Sequence, residues 1–391
     1  MSELYKLPEG WEWKKLGDLA EYVNGMAFKP TDFSDTGYPI IRIQNLNGKT
    51  NYNYFNGEAK EKYYVKDGDI LISWSASLDV YKWDGGDAIL NQHIFNTNIN
   101  LDTVNYDFFY HTIKYSLAEI MKNLHGVGMK HITKGKFENI DIPLPPLQEQ
   151  KRIVAKLDTL FQMIDKAIAL HQKNMDEADV FMGSVLNEIF GELNGQYGKR
   201  TLESFNRKMS SGGTPSRKEK AYWENGIIDW FSSGELNQLY TLPAKEKITQ
   251  LGLDKTSTKL FSKGTLLIGM YDTAAMKMSI LSTDGSCNQA IVGFKPDENE
   301  LDIFFIKYQL EYLKKEILKQ RQGVRQQNLN LRKIKNIKIE YPPLNIQQKT
   351  VTYLDKISQK IEKLKAVQKE KMQSLVALKA SILDQAFRGE L

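Results

Sequence analysis

Two clusters of basic residues stand at matching places in the two halves of this 391-residue sequence. The first holds Lys130, His131, Lys134 and Lys136. The second holds Arg321, Arg325, Arg332 and Lys333, interleaved with Gln322, Gln326, Gln327 and Asn328. Lysine and arginine neutralise phosphates, whereas a primary amide offers a donor and an acceptor side by side, as an adenine edge demands. Residues 122–136 contain four lysines, two histidines and no acid; residues 311–335 contain eight Lys or Arg against two Glu. The formal net charge of the chain is only +5, so a nucleic-acid surface must come from such clustering. One basic loop is as readily a solvated surface; recurrence at equivalent positions favours the interface.

Catalytic alternatives fail on context. Asp176, Glu177, Ala178 and Asp179 spell a helicase tetrad, but they fall in a helical pattern and no phosphate loop ending in Gly-Lys-Ser/Thr exists. Gly126, Val127 and Gly128 are too short for a dinucleotide fingerprint and follow a helical pattern. The prolines Pro145, Pro146 and Pro342, Pro343 lack the flanking residues of an amino-methyltransferase site and read as helix boundaries. The five histidines show no metal-ligand spacing, and the single cysteine, Cys287, excludes an internal disulfide and reads as a packed thiol.

The basic clusters must be positioned by something, and the chain is organised around one element that occurs twice. After each diproline, at Leu147 and Leu344, apolar residues recur at steps of three and four to Phe190 and Phe387, so that residue i answers to i+197. The seams read Ile153, Leu157, Leu160, Ile164, Ala167, His171, Asn174, Ala178, Phe181, Val185 and Leu354, Ile357, Ile361, Leu364, Gln368, Lys371, Leu375, Leu378, Ile382. A run of about 44 residues is roughly 66 Å long, too long for the interior of one compact domain. Each seam is one partner helix wide, which predicts an antiparallel pair whose register is set by the polar His171, Gln368, Asn174 and Lys371.

The repeat extends outside the helices. A glycine turn feeding an apolar strand recurs at 65–72 and 261–268, Asn91-Gln92 answers to Asn288-Gln289, and helical patterns at 106–124 and 302–319 precede the basic clusters. Short strands at 140–144 and 337–341 then lead into the diprolines. The expectation is an α+β chain of tandem strand-rich domains, partitioned 1–146, 147–192, 193–343 and 344–391, with pseudo-twofold symmetry about the helix pair.

The run 140–154, the opening 11–19, Ser211 to Ser216 and the closing Ala386 to Leu391 together resemble the signature of specificity subunits of Type I restriction-modification systems. The resemblance covers the whole chain. It implies two target recognition domains joined by a helix pair, each reading one half of an asymmetric bipartite site on double-stranded DNA, with the helices setting the spacer. It also implies a non-catalytic chain that docks two methyltransferase subunits and, in the full complex, restriction endonuclease subunits. S-adenosylmethionine, ATP and Mg would then belong to those partners, this chain holding no cofactor or metal.

Within that reading Gln148, Glu149, Gln150 and Arg152 are candidates for partner binding or for orienting each domain on its helix. The loops that differ between the halves nominate Lys82, Trp83, Tyr271 and Lys277 as base readers. The N-terminus carries no leader-like segment and no run approaches 18 apolar residues, which points to the cytoplasm and away from a membrane. The competing expectation is a coiled-coil interaction scaffold without sequence-specific DNA binding.

Overall fold

The structure, a computed structural model, describes residues 5–75, 77–123, 132–206, 208–319 and 328–391. The chain divides into two compact units, Met1–His171 with Lys369–Leu391, and Gln172–Gln368. Each unit therefore takes part of both long helices, Leu147–Leu193 and Leu344–Arg388.

In the first unit the strand Ile70–Ser73 is an apolar run launched by Gly68, whose φ of 91° is left-handed space that favours glycine. It is buried on both faces: Ile70 and Ile72 join the main core with Phe95 and Phe109, and Leu71 joins a second cluster with Ile41 and Trp83. It lies in an antiparallel sheet of order Ala20–Asn24, Ile94–Ile99, Ile70–Ser73, Asp79–Lys82. A second sheet has the order Asn53–Phe55, Tyr38–Ile41, Ala88–Leu90, Tyr64–Val65. The ribbon Glu12–Lys15 with Asp141–Leu144 brings the chain back to the helix start.

The second unit repeats the plan. Gly264, with φ 82°, launches Leu266–Gly269; Leu266 and Ile268 face the main core and Leu267 the smaller cluster around Cys287. The ribbon Lys199–Thr201 with Lys338–Glu340 matches the first. Strand-rich domains and long contacting helices confirm the α+β expectation.

Within each unit the two long helices run antiparallel. In the first, Lys379 Nζ lies 2.7 Å from Asp165 and Arg152 Nη2 donates to the Leu391 carbonyl at 2.8 Å; in the second, Lys365 pairs with Asp179. The seam departs from expectation beyond its ends. Asn174 and Lys371 are exposed, as are Phe181, Leu364 and Leu378, while Met175, Met182, Lys365, Met372 and Lys379 turn inward. The same one-residue slip occurs at equivalent positions of both copies. His171, Ala178 and Val185 keep their seven-residue spacing on the contact line, and between them the steps run four then three instead of three then four.

Candidate nucleic-acid interface and helix junction

Each diproline ends a strand and leaves a glutamine three positions inside the following helix, and this glutamine is the pivot of the junction. Gln150 is fully buried. Its Oε1 accepts from the Asn105 N–H at 2.7 Å, and its Nε2 donates to the carbonyls of Pro145 (2.8 Å) and Thr103 (3.1 Å). Gln347, equally buried, accepts from Asp302 N–H at 2.9 Å and donates to Pro342 (2.8 Å) and Glu300 (3.3 Å). Every partner is displaced by 197 residues. Asn105 and Asp302 in turn cap the domain helices Tyr106–Asn123 and Ile303–Lys319, their Oδ1 atoms accepting from Phe108 N–H (3.0 Å) and Phe305 N–H (3.1 Å). One amide thus ties long helix, domain helix and diproline together.

Two further contacts hold each domain helix. Phe387 stacks on Tyr115 with centroids 4.8 Å apart and meets Phe108 at 5.2 Å; Phe190 stacks on Tyr312 and meets Phe305, both at 5.5 Å. Tyr308 Oη donates to Asp355 at 2.7 Å, whereas the matched pair is His111 Nε2 at 3.7 Å from Asp158. Burial pulls His111 down to about 4, and burial followed by its bond to Asp355 holds the Tyr308 hydroxyl well above its ordinary value. The His111 Nδ1 atom is buried without a partner.

Of the other junction candidates, Gln148 is exposed and Glu149 pairs with Arg152 at 2.7 Å, a bond that lowers the Glu149 carboxyl. Ile346 and Lys349 replace this pair in the second copy. Sequence reasoning missed Gln347, Asn105, Asp302 and the pair His111–Asp158. The identity of Gln150 and Gln347 at a spacing of 197 was the available signal.

Among the phosphate candidates, Lys134 and Lys136 are exposed on the short helix Lys134–Glu138, anchored by the fully buried Phe137. Arg332 and Lys333 lie on the equivalent helix Leu331–Lys335, where the Asn330 side chain accepts from Lys333 N–H at 2.9 Å and Ile334 is the buried anchor. Arg332 is exposed, Lys333 half-buried. Each of these helices follows a residue bonded to the end of a central strand, Ile132 N–H to the Trp74 carbonyl and Leu329 N–H to that of Met270. Asn328 is half-buried next to Leu329. Lys130, His131, Arg321, Gln322, Arg325, Gln326 and Gln327 lie outside the described residues.

Each proposed base reader makes contacts within its own unit. Trp83 is 7% exposed, packs with Ile41 and Leu71, and donates its indole N–H to the Gly86 carbonyl at 2.7 Å, so it belongs to the core. Lys82 is spent on Asp107 at 2.6 Å and lies over the Tyr110 ring. Tyr271 packs against the main core of its unit, and Lys277 Nζ donates to Asn237 at 2.9 Å. Divergence between the loops signals different jobs but carries no information on which side chains face outward. Cys287 is fully buried and burial pushes its thiol up to about 12, as a packed structural cysteine requires. Among the described residues no helix is long and apolar enough to cross a membrane, and no His, Cys, Asp and Glu group could hold a metal.

The family described as the Type I restriction modification DNA specificity domain matches residues 8–175 and 196–371. The EcoBI specificity subunit of Escherichia coli is 33% identical over 169 residues, 42% of this chain and 35% of that protein. The MjaVIII specificity subunit of Methanocaldococcus jannaschii is 26% identical over 397 residues, 94% of this chain and 90% of the relative. In fold, the chain is similar to one solved in a study of complex assembly and conformational transition of the type I R-M system. That similarity has a TM-score of 0.72 at 22% identity and covers 99% of this chain and 100% of the other.

Proposed function

The chain belongs to the Type I restriction modification DNA specificity family, and from that premise we propose how its two units divide the work. It is a DNA sequence-recognition subunit with two recognition domains. Each domain reads one half of an asymmetric bipartite site, and the long helices set the spacing between the halves. The observation that carries this reading is the duplicated glutamine junction, Gln150 and Gln347, which seats two otherwise divergent domains on the helices by the same bonds. A scaffold without DNA specificity is not favoured, because it leaves the divergence of the domains on conserved mounts unexplained.

The chain performs no chemistry of its own in this reading. It works in the cytoplasm and delivers two methyltransferase subunits, and in the full complex restriction endonuclease subunits, to the site. S-adenosylmethionine, ATP and Mg serve those partners. Docking is supported by exposed apolar side chains on the long helices, Met163 and Leu170 in the first unit and, separately, Val180 and Phe181 in the second. Adenine methylation directed to two short, different motifs at fixed spacing is expected when the chain is co-expressed with a Type I methyltransferase subunit, read by single-molecule sequencing. An assembled complex that methylates without sequence preference would refute the reading.

A further inference from the structure

The two units differ sharply in charge. The first carries a formal net −2 and the second +7, which together make the chain's +5. Much of the difference sits at matched positions. Residues 331–338 hold Arg332, Lys333, Lys335 and Lys338 with no acid, whereas the equivalent residues 134–141 hold Lys134 and Lys136 against Glu138 and Asp141. Those acids are occupied locally, Glu138 lying 3.5 Å from Lys134 and Asp141 3.3 Å from Lys15.

In the second unit Arg332, Lys333 and Lys338 line a cleft of about 610 Å³ over the apolar floor of Leu313, Ile317 and Ile337. The acid at its edge, Glu316, is taken by Lys319 at 2.6 Å, and the nearby Lys335 is held by Glu203 at 2.9 Å. Arg332 and Lys338 are exposed and, among the described residues, have no acid within 4.0 Å. Arg332 and Lys338 therefore present positive charge that no described acid cancels. The first unit has Gly135 and Asp141 where the second has Arg332 and Lys338, so these two charges have no counterpart there.

We propose that this cleft grips the phosphate backbone, so that the second unit anchors the duplex electrostatically while the first unit contributes recognition with little phosphate neutralisation. The proposal rests on the DNA-recognition reading and adds an order of engagement: the second half-site is held first. A guanidinium fork beside two ammonium groups suits the paired oxygens of phosphate, and its long-range field acts before base contacts form.

The test uses the full chain assembled with its methyltransferase subunits and a labelled duplex carrying the methylated site, with the dissociation constant measured against KCl concentration. R332A/K333A/K338A is expected to reduce the slope of log Kd on log salt by between about 2 and 3, since each phosphate contact to duplex DNA contributes about 0.9. K134A/K136A should reduce it by less than about 1, and the charge-retaining R332K/K333R/K338R should restore it. An unchanged slope, or equal losses from the two units, in complexes that still distinguish the site from a scrambled duplex would overturn the anchoring proposal and leave the specificity reading standing. Loss of assembly with the methyltransferase on size exclusion would overturn it in favour of an acidic protein partner. A wild-type complex indifferent to sequence would refute the recognition reading itself, and the proposal with it.

Discussion

Gln150 and Gln347 each satisfy one backbone N–H and two carbonyls, of which the bond to the diproline carbonyl, Pro145 or Pro342, is buried. Replacing either by alanine leaves that buried carbonyl unpaired, at about 1–3 kcal/mol. We expect Gln150→Ala to lower stability by about 1–3 kcal/mol, seen as a lower urea midpoint, and Gln347→Ala to do the same. Equal stability of variant and parent would show that the bonds are replaced by solvent. His111 supplies a pH signature. Its folded value lies below that of the unfolded chain, so between pH 6.5 and about 4 the unfolded state binds more protons and stability falls as the solution is acidified. His111→Tyr, which copies Tyr308, should flatten that decline in an acid titration of the melting temperature. Persistence of the full decline would assign it to other groups. The sequence announces Gln150 because a helix start was expected there, but not its partners, since Asn105 and Thr103 meet it only through the fold.

The long helices show how far periodicity reaches. Their existence, length and antiparallel pairing within each unit follow from spacing alone, and the inner positions Ile153, Leu157, Ile164 and Val185 are buried as expected. The middle is different, because Asn174 and Phe181 lie one residue away from the line that Met175 and Met182 occupy. Pattern matching places an apolar residue inside, and only contact with the partner helix decides which of two adjacent residues wins. Phe181, 56% exposed, is therefore available for something else. Phe181→Ser should change the melting temperature of the free chain little, within about 0.5 kcal/mol of stability, yet weaken co-purification with the methyltransferase subunit. Retained assembly would remove Phe181 from the docking surface.

For the whole molecule, the proposed spacing role makes helix length the quantity to vary. Removing seven residues from each long helix at matched positions keeps the seam in phase and shortens each by about 10.5 Å. At about 3.4 Å per base pair, the methylated motifs should then lie about three base pairs closer, measured by sequencing modified DNA. An unaltered spacing would mean that the helices do not set it. The tandem organisation was legible because two copies of one pattern reinforce each other. The surroundings of the base-reading candidates were not: Trp83 lies in the core and Lys82 pairs with the Asp107 carboxylate, contacts that only the fold brings together.

The division of the chain into units also dictates an order of manufacture. The second unit is one uninterrupted stretch, 172–368, whereas the first is assembled from residues 1–171 and 369–391. On the ribosome the amino-terminal domain is made first but waits with an open socket between Phe108 and Tyr115 until Phe387 has been synthesised. The later domain can close while the earlier one is still waiting. The second unit therefore has its whole chain in hand about 23 residues before the first.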